Sequence, residues 1–248
     1  MELQEYEKMY KLEKAYWWFI VKRKIVNDNL PKNSKRLKLL DVGCGTGMVL
    51  YDLKSRGYDT YGLDIMPAAL KFCKARGLKN LFKGSVIKMP FKSEFFDIVT
   101  CLDVLYHKQI KDDNEAIREI YRVLKPDGLL ILTDAACPAM HSRHDIAAHV
   151  RERYTKKEIC RKLSDCGFII KKSSYFNTFL FPFVFVMRKI DNLINKNKPV
   201  SSDIDNISPF VNKFFKSIFL LESNVLKRIN LPFGVSILCI VKKPKTKL

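Results

Sequence analysis

Asp41, Gly43, Gly45 and Gly47 stand at alternate positions in the run Leu39-Leu40-Asp41-Val42-Gly43-Cys44-Gly45-Thr46-Gly47. Their types suit the holding of a charged small molecule. An apolar run closed by an acid, then three glycines, then an amphipathic run from Met48 to Arg56 ended by Gly57, predicts a buried strand, a tight turn and a helix. Glycine lets the backbone approach a ligand with no Cβ in the way, and takes positive φ where the chain reverses. A second acid, Asp64, closes another apolar run, Thr60 to Leu63, about twenty residues on. That is the distance of an acid that takes ribose hydroxyls.

Two ligand classes share this pattern, and details separate them. A dinucleotide fingerprint needs glycine at its sixth position, where this chain has Met48. Asp41, two residues before the first glycine, would repel a pyrophosphate. The same carboxylate suits a cationic amino group, such as that on the methionine part of S-adenosylmethionine. On these residues the chain resembles the class I, Rossmann-like S-adenosylmethionine-dependent methyltransferases. The Trp17-Trp18-Phe19 segment, the His144-Asp145 pair and Arg153-Tyr154-Thr155 resemble a methyltransferase type 11-like branch with a Trp-Trp-Phe N-terminal helix.

The surrounding pattern predicts the elements that position these groups. Residues 1–30 read as one helix, with Tyr6, Met9, Tyr10, Glu13, Trp17, Ile20, Val21 and Ile25 at helical spacing and Pro31 closing it. Its aromatic cluster serves either the core or a pocket wall, and Arg23 could meet a carboxylate, that of the cofactor first. Strands are expected near 38–42, 59–63, 79–83, 96–101 and 128–135, and helices near 46–56, 67–76, 113–124 and 155–166. Phe168 to Tyr175 and Val235 to Val241 read as two more strands. The fold class is therefore α/β: a doubly wound, mostly parallel sheet with helices on both faces and an N-terminal helical extension. The resemblance implies seven strands, the last two antiparallel. The 58 residues between those two far exceed a hairpin loop. Three parts follow: an N-terminal helical segment (1–36), a methyltransferase core (37–176 and 235–243) and an inserted, mostly helical substrate cap (177–234).

The resemblance also assigns the cofactor site. Asp41 and the turn Gly43, Cys44, Gly45 and Gly47 would hold the methionine end, Asp64 the ribose, and Ile65, Met66 and Val86 the adenine faces. Ser85 stands where the family usually has an acid for the adenine amino group, so recognition there leans on the backbone at Val86. Leu102, Asp103 and His107 lie at the carboxyl end of the fourth strand, where ligands sit in open α/β sheets. Methyl transfer needs alignment and exclusion of water, and a hydroxyl acceptor needs a base. His144 with Asp145 beside it, or His107, are the catalytic candidates. No Asn/Asp-Pro-Pro-Tyr run of nucleobase amino methylation, no Pro-Cys pair of cytosine C5 enzymes and no metal-ligand cluster is apparent.

Composition bounds the partners. Seven scattered cysteines without a CxxC pair argue for reduced thiols. The acidic start Met1-Glu2-Leu3-Gln4-Glu5 lacks a signal-peptide core, and the expected location is cytoplasmic. The net charge of +19 is uneven: residues 39–150 hold 15 basic and 14 acidic side chains, whereas 151–248 hold 20 and 7. Tyr175 to Met187 is almost continuously apolar, too short for a bilayer, and is followed by Arg188, Lys189, Lys196 and Lys198. The expected acceptor is thus a small or lipid-like molecule under an aromatic cap, with possible peripheral contact to an anionic membrane surface. The alternatives are an RNA methyltransferase tracking phosphates with its basic flanks, and a cofactor-binding module without turnover.

Overall fold

A computed structural model of the chain describes residues 3–32, 36–194 and 207–245. Seven strands form one sheet: β1 (Lys38–Val42), β2 (Asp59–Asp64), β3 (Asn80–Lys83), β4 (Phe96–Leu102), β5 (Leu124–Ala135), β6 (Ile169–Phe176) and β7 (Ser236–Lys242). Their order across the sheet is β3-β2-β1-β4-β5-β7-β6. β7 runs antiparallel to both β5 and β6 while the other pairings are parallel. The helices are α1 (Leu3–Leu12), α2 (Trp17–Asp28), α3 (Met48–Ser55), α4 (Pro67–Ala75), α5 (Asp113–Val123), α6 (Arg143–Ala147), α7 (Lys156–Asp165), α8 (Phe181–Ile194) and α9 (Pro209–Leu226).

The central strands are apolar on both sides because helices cover both faces of the sheet. Alternation sends Leu40, Val99, Leu130, Leu132, Ile237 and Cys239 to one face, against Ile117 and Ile120 of α5 and Ile159 and Leu163 of α7. It sends Leu39, Ile98, Ile131, Leu238 and Ile240 to the other, against Val21 and Ile25 of α2, Leu50 and Leu53 of α3, and Phe219 of α9. Helix starts are set locally. Asp112 accepts from the amide of Asn114 at 2.8 Å, Thr155 from that of Glu158 at 3.2 Å, and Pro67 and Pro209 occupy first turns.

Two expectations are corrected. The N-terminal segment is two helices, not one. The chain leaves the helix at Glu13, which lies buried at the break and accepts from the Thr46 hydroxyl at 2.6 Å and from Arg76. A carboxylate buried beside the glycine turn gains more from those donors than from continuing a helix into solvent. β5 starts at Leu124 instead of near 128, so that Lys125-Pro126-Asp127-Gly128 lies inside it. There the register against β4 shifts between Phe96 and Ile98, and Asp127 takes φ 61°.

Candidate functional site

All the parallel strands point their carboxyl ends at one cavity of about 440 Å³. Its floor is the glycine turn, and the reason lies in the wiring of β1 to β2. The amides of Gly43 and Cys44 both donate to the Leu63 carbonyl, at 2.8 and 3.0 Å. The next amide, Gly45, donates to Asp64 Oδ2 at 2.9 Å. Gly43 has φ 67°, and a Cβ there would fall 2.5 Å from Val104 Cγ2. Any side chain would push β4's terminal loop off the turn.

Two acids flank the turn. Asp41 is buried and its Oδ1 accepts from Thr100 Oγ1 at 2.6 Å. Burial pushes its carboxyl up to about 7, against the opposing effects of the Thr100 hydrogen bond and the Lys22 charge. Asp64 is buried as well, its Oδ1 accepting from the Met66 amide at 2.9 Å, and burial raises it too. Two adjacent carboxyls in one pocket, both destabilised as anions, form a ready receptor for a cation and for hydroxyl donors.

The opposite wall comes from the two N-terminal helices and the segment between β6 and β7. Tyr6, Met9 and Glu13 stand over the glycine turn, and Trp17, Trp18 and Phe19 continue the wall. Trp17 also packs edge-on against Phe215 and Phe219 of α9, at centroid distances of 5.5 and 5.6 Å. The aromatic cluster is therefore both core and pocket wall. From α8 come Val184 and Arg188, and Asn177 lies just beyond β6. Asn177 takes φ 58° and its Oδ1 is buried without a hydrogen-bond partner. Its amide and those of Thr178 and Phe179 all donate to the buried Glu222 carboxylate of α9. One acid thus ties the turn after β6 to the helix behind it.

Of the residues singled out from sequence, Arg23, Asp41, Gly43, Cys44, Gly45, Asp64, Ile65, Met66, Ser85, Val86, Leu102, Asp103, His107, His144 and Asp145 all line the cavity. Gly47 does not. It starts α3 at φ 80°, where a Cβ would meet Cys73 Sγ and Leu78 Cδ1 at 2.7 Å, so its glycine serves packing behind the turn.

Several of these side chains have partners within the protein. Arg23 donates through Nε to Asp52 at 2.7 Å and through Nη1 to the Glu13 carbonyl at 2.5 Å, which turns it to the N-terminal break instead of a ligand carboxylate. Its neighbour Lys22, one helical step of about 100° round, pairs with Asp103 in the site. Asp103 itself takes φ 60°, held by its amide on the Thr133 carbonyl at 2.8 Å and by the Thr133 hydroxyl on Oδ1 at 3.1 Å. Asp145 is held from another side: its two oxygens accept from Arg153 at 2.7 and 3.0 Å and from the Ser142 amide at 2.8 Å. Burial alone would raise the Asp145 carboxyl, but the Arg153 hydrogen bonds and charge outweigh it and hold the group low. His107 Nδ1 accepts from the Gln109 amide at 3.2 Å, which leaves the proton of a neutral ring on Nε2. Burial, with the neighbouring His149 ring, lowers His107 to about 4. Ser85 Oγ accepts from the Ile87 amide at 3.4 Å, inside its own turn.

This geometry has relatives. Residues 40–132 match the family model described as a methyltransferase domain. Over that stretch the chain is similar to methyltransferase domains. An uncharacterized methyltransferase of Bacillus subtilis, YcgJ, is 31% identical over 107 residues, 41% of this chain and 42% of its own length. The ubiquinone biosynthesis O-methyltransferase of Rickettsia conorii is 26% identical over 43% of this chain and 37% of its own. The phosphoethanolamine N-methyltransferase of Plasmodium falciparum is 28% identical over 64% of each chain. The chain thus spans about two-fifths of the first two relatives and under two-thirds of the third. Among solved structures, an S-adenosylmethionine-dependent methyltransferase of Mesorhizobium loti shares the fold, with a TM-score of 0.60 and 15% identity over 93% of this chain and 100% of that one. The matched stretch thus supplies the glycine turn, both acids and the end of β4. The wall that faces them lies outside the matched stretch.

Proposed function

We propose that the chain is an S-adenosylmethionine-dependent methyltransferase acting on a small or lipid-like acceptor enclosed between the sheet ends and the helices α2 and α8. The observation that carries this reading is the pairing of two buried acids, Asp41 and Asp64, over the glycine turn in one cavity. The residues fit the cofactor. Asp41 would offer a desolvated carboxyl to the cationic amino group, Asp64 would take the ribose hydroxyls, and Ile65, Met66 and Val86 would give apolar surface for the adenine. When bound, S-adenosylmethionine supplies a methyl group already activated by its sulfonium.

The chain's own residues then have three tasks. Trp18, Val184 and the cavity wall exclude water, which strengthens every polar contact inside. Asn177 Oδ1, a buried acceptor, and Arg188 give the acceptor end of the cavity polar groups for a donor and an anion. His107 presents Nε2–H, suited to donate to an acceptor oxygen, and His144 takes the proton that a hydroxyl acceptor releases. A general base of this kind contributes on the order of 10²–10⁴ in rate. His144→Gln should therefore lower kcat by about that factor with cofactor affinity unchanged.

The experiment uses methyl-labelled S-adenosylmethionine, the purified chain and an extract of its source cells, split afterwards into lipid, small-molecule, RNA and protein fractions. Label in the lipid or small-molecule fraction is the expected result. Label in RNA overturns the choice of acceptor, and silence in every fraction with the cofactor bound overturns turnover itself.

A further inference from the structure

Apolar side chains left in solvent gather on one side of the molecule. Of the 18 large hydrophobic residues exposed among the described residues, 12 lie between Phe179 and Phe233, although that stretch is under a quarter of the chain. On α8, Phe183, Val186, Met187, Ile190, Leu193 and Ile194 are all exposed. Their spacing follows the helical period, so they form one continuous outward face. The opposite side of the same helix carries Val184 to the cavity and Arg188 to within 3.7 Å of Asp145. α9 repeats the division: Phe210, Phe214 and Leu221 face out while Phe219 and Leu226 are buried. The rings of Phe183 and Phe215 lie 5.8 Å apart, so the two helices touch at that point.

Charge decides what such a face meets. Exposed Lys189 borders the α8 face and exposed Lys213 the α9 face. The acids of the two helices each have a partner. Glu222 is buried as the clamp on residues 177–179, and Asp191 pairs with Arg143 at 3.6 Å. An apolar stripe rimmed by cations complements a surface that is apolar beneath and anionic on top. A second copy of this chain would set lysine against lysine. No helix among the described residues is long and apolar enough to cross a membrane.

We propose that the outward faces of α8 and α9 rest in the headgroup region of an anionic lipid bilayer, with the cavity behind α8. The docking does not depend on the reaction. It would place the mouth of a lipid-accepting cavity against the source of its substrate.

The test is co-sedimentation of the full chain with vesicles of phosphatidylcholine alone and of phosphatidylcholine mixed with phosphatidylglycerol. Binding should be about tenfold stronger on the anionic vesicles and weaken with salt. Phe183→Glu with Ile190→Glu, and separately Lys189→Glu with Lys213→Glu, should each abolish it while circular dichroism and S-adenosylmethionine affinity stay those of the wild type. Equal partition to both vesicle types, no binding, or binding kept by both double variants overturns the proposal. A dimer in analytical ultracentrifugation that the Phe183/Ile190 variant splits would assign the face to a second copy and overturn it as well.

Discussion

At Asp41 the direction of the pKa shift makes a prediction with a definite sign. Burial holds its carboxyl up at about 7, against an ordinary value of 3.8. Between those values the folded chain binds a proton that the unfolded chain does not, so this group's contribution to stability falls as pH rises through the window and is level above it. At pH 8 the ionised group should cost on the order of 4 kcal/mol relative to pH 4. Asp41→Asn should flatten that slope in urea titrations between pH 5 and 8, and an unchanged slope would sink the assignment. The same variant should bind S-adenosylmethionine at least about tenfold more weakly, since a hydrogen bond to a charged group contributes about 1.5–3 kcal/mol. Wild-type affinity should rise with pH through 7 as the carboxylate forms. Residue by residue, the half of the cavity built by the glycine turn, Asp41 and Asp64 was legible in the sequence because glycine and aspartate spacing along two strands fixes it locally. The facing half was not. Lys22 differs from Arg23 by one helical step, and only the packing of α2 reveals that Lys22 faces Asp103 while Arg23 faces Asp52.

A buried ion pair ties α6 to the segment that leads into α7. Asp145 of α6 and Arg153 beyond it are 1% and 3% exposed, and Arg153 Nη1 also donates to the Ala136 carbonyl at 2.8 Å. Removing one partner leaves a buried charge uncompensated, so Asp145→Ala should cost about 3–5 kcal/mol. Replacing both by apolar residues of similar size, Asp145→Leu with Arg153→Met, should restore most of it. Guanidinium titrations of the three proteins check this. A restored double variant that also methylates at the wild-type rate would place Asp145 outside the chemistry, whereas a stable but inactive one would return it to the reaction. The sequence drew attention to this pair through the adjacency of His144 and Asp145, but neighbours in a helix point about 100° apart. Strands fared better, because period-2 alternation between two apolar layers sets their register directly, as Leu39 and Leu40 do in β1. The break between α1 and α2 escaped because helical spacing runs unbroken across it. What ends the helix is a tertiary demand of Glu13 on Thr46 and Arg76.

Across the whole molecule, segments from opposite ends of the chain close over the site as one unit. The Trp17 amide donates to Asn212 Oδ1 at 2.8 Å, and Asn212 Nδ2 donates to the Ala15 carbonyl at 2.9 Å. Trp18 stacks on Phe176 and Phe219 with centroids 5.9 and 5.7 Å away. α1 in turn reaches the glycine turn, where Met9 Cε would stand 3.0 Å from a Cβ at Gly45. Whatever fills the cavity therefore touches the first of these segments and, through the aromatic stack, loads the second. Ligand that binds only the closed arrangement stabilises it by RT ln(1 + [L]/Kd), about 2.7 kcal/mol at a hundredfold excess over Kd. Amide exchange in α1, α2 and α9 should accordingly slow together when S-adenosylmethionine is added, by up to about a hundredfold. Trp18→Ala, which removes the stack while leaving Asp41, Asp64 and the glycine turn in place, should uncouple them. In that variant α3 and the glycine turn would still gain protection and α9 would not. Protection of α9 that survives the loss of Trp18, or that never accompanies cofactor binding in the wild type, would mean that the two ends of the chain close over the cavity independently.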